Sequence, residues 1–225
     1  MKNYVIIVAG GSGSRMKSDL PKQFLLLNNK PILFHTMEAF QKALPELEII
    51  LVMSKAWIDY WNQLKEEYNF NTPHLLTPGG KERYHSVKNG LFLINDDDQG
   101  IVGVHDAARP LISTHLIKRC FDAAIDSNNA IPALPSSNSI RIGNATTNKA
   151  IDRSEVNIIQ TPQCFKIEQL KEAYKGDFKS IYTDDASVVE IQGIDTIKLV
   201  EGESSNIKIT EPLDLIIAEQ LLNRP

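Results

Sequence analysis

Tyr4-Val-Ile-Ile-Val8, running directly into Ala9-Gly-Gly-Ser-Gly-Ser-Arg-Met16, is the stretch whose reading decides the fold. An unbroken apolar run that stops at glycines reads as a strand buried on both faces, as in a parallel sheet covered by helices. It is too short to be a secretion signal or a membrane span, which needs about 20 apolar residues. Downstream, apolar runs alternate with amphipathic stretches. Pro31–Leu44 reads as a helix with proline in its first turn, and Glu48–Met53 as a strand. Trp57–Tyr68 reads as a helix with Trp57 and Trp61 on its packed face. His74–Leu76 is a short strand, Arg83–Ile94 a helix and Ile101–His105 a buried strand. Ser113–Ser127 is a helix with a serine N-cap, and Ala130–Leu134 a strand. This order predicts a Rossmann-like α/β fold, a mostly parallel twisted sheet with helices on both faces.

Beyond Pro135 the character changes. Residues 136–155 are rich in Ser, Asn and Thr, and Ile140-Arg-Ile142 and Ala150-Ile-Asp152 flank Gly143-Asn144 as turn material. This reads as a β-hairpin with too little apolar content for a core of its own. It is either a surface hairpin or an arm that packs on a second subunit. Ile167–Tyr174 and Asp184–Ile191 read as helices, Thr196–Val200 as a strand and Pro212–Leu222 as a closing helix. No linker divides the 225 residues, so one domain over 1–225 with an arm is the economical organisation.

Lys and Arg number 24 against 28 Asp and Glu, a net charge of −4, which argues against a general nucleic-acid binder. Local cations can still hold one phosphorylated small molecule. Cys120 and Cys164 have neither CxxC nor zinc spacing and read as reduced thiols of a cytoplasmic protein. Asn95-Asp-Asp-Asp-Gln-Gly100 reads as a solvated turn rather than a metal site.

Four stretches carry chemistry. In the first, glycines after the opening strand let backbone N–H groups approach an anion, beyond the carboxyl end of a strand where open α/β sheets bind ligands. Neither G-x-x-x-x-G-K-[ST] nor G-x-G-x-x-G is present, since Met16 stands at the third glycine position. Arg15, and Lys22 in Leu20-Pro-Lys-Gln-Phe24, add cations suited to a polyphosphate. The second is Val104-His-Asp-Ala-Ala-Arg-Pro110. Here Asp106 suits Mg²⁺ or a substrate hydroxyl, Arg109 suits a phosphate or Asp106 itself, and His105 reads as structural. The third is Gly79-Gly-Lys-Glu-Arg-Tyr-His-Ser86, whose glycine backbone could approach a flat base beside Ser86. The fourth is basic: Arg153, and Lys208 in Asn206-Ile-Lys-Ile-Thr210. Thr183-Asp-Asp-Ala-Ser187 reads as a capped helix start. There is no G-x-S-x-G elbow and no H-E-x-x-H.

Together these stretches, with Asp152-Arg153, Thr161-Pro-Gln163 and Val200-Glu-Gly202, resemble in order the 2-C-methyl-D-erythritol 4-phosphate cytidylyltransferases over nearly the whole chain. The resemblance implies that CTP and a sugar-alcohol phosphate are the substrates, with Mg²⁺ or another divalent cation as cofactor. The triphosphate falls on Ala9, Gly10 and Gly11, and the transition-state cations are Arg15 and Lys22. The cytosine falls on Gly80, Lys81 and Ser86, with Ala107 nearby. The sugar phosphate falls on Asp106, Arg109, Arg153 and Lys208; Ser139 and Thr161 are further candidates for substrate contact, and Asp106, on its own chemistry, is the candidate metal ligand. The family's arm is exchanged within a homodimer, so Arg153 and Ser139 would serve the partner's site. No nucleic acid or membrane is implied.

The chain departs from the family pattern at Val8-Ala-Gly-Gly11, where many members have Pro-Ala-Ala-Gly. It departs again at Lys81, often acidic, and at Asn138-Ser139 in place of an Asp-Thr pair. Ribitol 5-phosphate cytidylyltransferases share the fold, the glycine loop and Pro21-Lys-Gln-Phe-Leu25, and they remain an alternative alongside a non-catalytic CTP sensor.

Overall fold

The computed structural model describes residues 1–11, 16, 18 and 20–223. In it β1 (Tyr4–Ala9) leads into the glycine loop. A 3₁₀ turn at Lys22–Phe24 follows, then a small ribbon of β2 (Leu26–Leu27) and β3 (Lys30–Pro31). The alternation predicted from the sequence comes next: α1 (Ile32–Ala43), β4 (Glu48–Met53), α2 (Ile58–Glu67), β5 (Leu75–Pro78), α3 (Arg83–Leu91), β6 (Ile101–Asp106), α4 (Thr114–Ser127) and β7 (Asn129–Pro135). The hairpin is β8 (Ile140–Gly143) with β9 (Asn148–Ile151). Then come β10 (Asn157–Ile159), β11 (Gln163–Lys166), α5 (Ile167–Ala173), α6 (Asp185–Ile191), β12 (Leu199–Glu201) and α7 (Pro212–Leu222).

The main sheet has eight strands in the order β10-β7-β11-β6-β1-β4-β5, with β12 parallel to β7. β5, β4, β1 and β6 run parallel, and β11 runs antiparallel between β6 and β7. Side chains alternate on β1. Val5, Ile7 and Ala9 face a core built with α1, α2 and α4, while Tyr4 and Ile6 face one built with α3, α5 and α6. The sheet is therefore sandwiched between helices, as its unbroken apolar strands require. Trp61 is fully buried and Trp57 packs on Phe24, so both tryptophans are packing residues.

Three strands of the main sheet depart from the reading of the sequence. β10 and β11 were absent from it, because three- and four-residue strands are too short to show a period. The strand expected at Thr196–Val200 is confined to Leu199–Glu201. The Asn129 side chain instead holds the preceding backbone, donating to the Thr196 carbonyl at 2.9 Å and accepting from the Lys198 N–H at 2.8 Å. The acidic turn is largely exposed, as expected, and two side-chain contacts anchor it. Asp98 accepts the Tyr4 hydroxyl at 2.5 Å and Asp96 pairs with Lys171 at 2.7 Å.

Candidate active site

Above the carboxyl ends of β1, β4, β5 and β6 lies a cavity of about 470 Å³. Ala9, Gly10 and Gly11 form one wall, Gly80, Lys81 and Ser86 another, and Asp106, Ala107, Lys22 and Lys208 close it. Residues from four separate stretches, up to 199 positions apart (Ala9 to Lys208), thus meet where an open α/β sheet places its ligands. Lys22, Lys81, Arg83 and Lys208 line it against Glu82 and Asp106, so cations outnumber carboxylates and the cavity suits an anion.

Each wall is held by specific bonds. Gln23, almost fully buried, donates to the Ala9 carbonyl at 2.8 Å and pins the root of the glycine loop. The neighbouring Lys22 donates to the Ile209 carbonyl at 2.8 Å. Ile209 N–H donates to the Ala108 carbonyl at 2.8 Å, which brings the Lys208 segment beside Asp106. Gly80 N–H donates to Ser86 Oγ at 3.1 Å, and Ser86 donates back to the Glu82 carbonyl. A Cβ on Gly80 would stand 2.3 Å from His85 Cβ, so only glycine fits this approach. Ser86, expected as a contact to the base, is seen to clamp the glycine turn, and the Gly80 N–H is directed at it.

Asp106 is the electrostatic centre. Its Oδ2 meets Lys208 Nζ at 2.9 Å and Arg109 Nε at 3.4 Å, and its Oδ1 lies 3.9 Å from Arg83 Nε. Burial alone would raise this carboxyl, but Arg83, Lys208 and Arg109 together hold it well below the usual carboxylate range. Arg109 also donates to the Asn206 carbonyl at 2.8 Å. Of the two readings left open by the sequence, the structure shows it holding Asp106, and it is not part of the cavity wall.

Beneath Asp106 runs a chain of bonds. Asp106 N–H donates to Thr161 Oγ1 at 3.2 Å, and Thr161 Oγ1 lies 3.0 Å from His105 Nδ1. His105 Nε2 meets the Arg109 carbonyl at 3.3 Å. A carbonyl only accepts, so Nε2 carries the proton and Nδ1 accepts from the Thr161 hydroxyl. Burial pushes the His105 imidazole down to about 3, in keeping with this neutral tautomer. The expectation that Thr161 touches substrate is thus corrected. It is buried, its hydroxyl is engaged on both sides, and it fixes the Asp106 backbone from below.

The remaining expectations divide. Arg15 lies outside the described residues. Arg153 and Ser139 are exposed on the hairpin segment, away from this chain's own cavity, and Arg153 donates to the Ser137 carbonyl at 3.0 Å. Asp106 as a metal ligand does not fit. Its carboxylate already faces three cations, and among the described residues no three His, Cys, Asp or Glu side chains come together to hold a metal ion.

Among the polar residues that line the cavity, Gln23, Glu82 and Arg83 had no assignment from the sequence, nor had Asp185 behind Arg83. Arg83 opens α3, lines the cavity and grips Asp185 with two bonds of 2.9 and 2.6 Å. Asp184 does cap α6, accepting the Ser187 N–H at 2.9 Å, but the adjacent Asp185 is fully buried and ion-paired. The partners are 102 residues apart, so no local pattern announces them.

Comparison with known proteins agrees with this geometry. A family model described as 2-C-methyl-D-erythritol 4-phosphate cytidylyltransferase matches residues 3–224. A protein of that name from Bacteroides thetaiotaomicron is 47% identical over 222 residues, covering 99% of this chain and 100% of its own length. One from Bacteroides fragilis is 45% identical, covering 96% of this chain and 98% of its own. The crystal structure of 4-diphosphocytidyl-2C-methyl-D-erythritol synthase from Anaerococcus prevotii superposes with a TM-score of 0.83 at 29% identity, covering 99% of this chain and 96% of that one. Among the described residues no helix is long and apolar enough to cross a membrane.

Proposed function

The chain belongs to the 2-C-methyl-D-erythritol 4-phosphate cytidylyltransferase family, a family of nucleotidyltransferases, and from that premise we propose how its residues carry the reaction. The reaction joins CTP and 2-C-methyl-D-erythritol 4-phosphate into 4-diphosphocytidyl-2-C-methyl-D-erythritol, releasing pyrophosphate, in non-mevalonate isoprenoid synthesis. The observation that carries the assignment is the convergence of the glycine wall, Lys22, Lys208 and Asp106 on one cation-rich cavity.

The triphosphate lies along the backbone of Ala9, Gly10 and Gly11, and the cytosine against Gly80, Lys81 and Ser86, with Ala107 nearby. A phosphate oxygen of the sugar phosphate attacks the α-phosphorus in line. That P–O bond forms as the bond to the β-phosphate oxygen breaks, and the electron pair leaves on pyrophosphate. The attacking group is already an anion near neutral pH, so no side chain need remove a proton. Two anions must meet, and catalysis is positioning plus charge neutralisation. Lys22 and Arg15 offset charge on the triphosphate, and Lys208 and Asp106 orient the sugar phosphate.

Any divalent cation is proposed to arrive on the triphosphate, held by phosphate oxygens, and no residue of this chain is assigned to it. We further propose a cytoplasmic homodimer in which the hairpin carries Arg153 and Ser139 to the partner's cavity. Both cysteines are buried free thiols, as suits that compartment.

The test is pyrophosphate release with CTP, run in parallel with methylerythritol 4-phosphate and ribitol 5-phosphate. Release with the first acceptor alone is expected. Release with the second alone keeps the CTP site and overturns the acceptor, and binding of CTP without release from either marks a sensor. Lys22→Ala should lower kcat by roughly a hundredfold with a smaller change in sugar-phosphate KM. A single-turnover rate equal to the parent's removes that role.

A further inference from the structure

Asp185 is a buried charge that the reaction as described leaves unused. It sits in the first turn of α6 and is fully buried. It accepts Arg83 Nη1 at 2.9 Å, Arg83 Nη2 at 2.6 Å and the Tyr174 hydroxyl at 2.6 Å. Gln163 Oε1 accepts the backbone N–H of Asp185 and of Ala186 at 2.9 Å each, which locks the start of α6 onto β11. The place of this carboxylate is therefore set from three sides: α3, the end of α5, and β11.

Arg83 stands between two carboxylates. Its terminal nitrogens grip Asp185, while its Nε faces Asp106 Oδ1 at 3.9 Å, beyond hydrogen-bond distance. The other Asp106 oxygen, Oδ2, is the one held by Lys208 and Arg109. A guanidinium prefers to close on a carboxylate through two parallel bonds, and its pair of terminal nitrogens can do so with only one partner at a time. Asp185 takes that grip.

We infer that Asp185 is a positioning residue: by occupying the Arg83 fork, it keeps Arg83 from closing on Asp106 and so leaves Asp106 Oδ1 as the acceptor for a hydroxyl of the bound sugar phosphate. The inference rests on the proposed reading of Asp106 as a group that orients the sugar phosphate. Without Asp185, Arg83 turns onto the nearest remaining carboxylate, and Asp106 is lost to the substrate. The harm then comes from Arg83, not from the missing carboxylate, and removing both should relieve it.

The experiment measures KM for methylerythritol 4-phosphate at saturating CTP in Asp106→Asn, Asp185→Asn and the double variant Arg83→Gln/Asp185→Asn. Asp185→Asn should raise that KM roughly tenfold, with the CTP KM moving less than about threefold. The double variant should bring it at least about threefold below the Asp185→Asn value, because the freed guanidinium is gone. A parental sugar-phosphate KM in Asp185→Asn overturns the inference. So does a double variant no better than the single one, which is what a purely structural role gives.

Should Asp185→Asn fail to fold, the double variant decides alone. It removes the buried carboxylate together with its partly exposed partner, a change better tolerated than leaving one charge of the pair unpaired. A KM raised clearly less than tenfold then supports the inference, and a rise of roughly tenfold or more overturns it. Asp106→Asn separates the two levels. A parental KM there refutes the reading of Asp106 itself, whereas a raised KM beside a parental Asp185→Asn refutes the positioning alone.

Discussion

His105 shows how a single buried group couples this site to solution conditions. Its imidazole is neutral in the fold and titrates at about 3, because burial disfavours the cation. In the unfolded chain it takes up a proton near pH 6.5. Below that value the unfolded state binds more protons than the folded one, so stability falls as pH falls, by about 1.4 kcal/mol per unit at most from this group. Unfolding midpoints in urea should therefore drop between pH 7 and 5, and His105→Asn should flatten that part of the profile. An unchanged slope in the variant would deny His105 the role. His105 as a structural group was legible from the chemistry, since a phosphate nucleophile needs no base. What it bonds was not, because Thr161 lies 56 residues away. The same holds for Arg83, quoted within a recognised motif yet given its purpose by Asp185. Residues that line the cavity sit in short motifs, whereas their distant partners are found by the topology.

The hairpin is the element whose role is separable from the stability of the domain. Every residue from Arg141 to Ala150 is exposed, so the arm contributes little to either core. Its turn depends on Gly143, which has φ +124° and would place a Cβ 2.2 Å from the Thr147 carbonyl oxygen. Gly143→Ala should thus disorder the arm while moving the thermal midpoint by less than about 2 °C. Faster proteolytic cleavage near 143–148 at an unchanged midpoint is the expected result, and a large loss of midpoint would mean that the arm supports the core. The hairpin was visible in the sequence because its turn chemistry and its drop in apolar content are local. The strands that follow it were not. β11 has four residues, Gln163-Cys-Phe-Lys166, and is a strand because β6 and β7 offer it edges on both sides.

At the scale of the molecule, the proposed exchange of arms makes a prediction that no single chain can satisfy. Arg153→Ala and Lys22→Ala each damage a different half of a shared site. Co-folded in equal amounts, they should regain about a quarter of parental activity, since half the dimers are mixed and each mixed dimer holds one intact site. No recovery on mixing would confine Arg153 to its own subunit. The parallel part of the sheet was legible as a whole, because five apolar runs alternate with helical patterns. Its closure was not, because it depends on β11.

That inserted strand has a consequence for how the protein is made. The edges of β6 and β7 face each other across a gap that only residues 163–166 fill, and the chain lays down β7 and the whole hairpin before it returns to fill it. While the chain emerges from the ribosome, two apolar strands wait with open edges for an interval set by some thirty residues of synthesis, a few seconds at about 5–20 residues per second. The strand that joins β6 to β7 is thus also one whose late arrival leaves the nascent chain open to pairing with a neighbour.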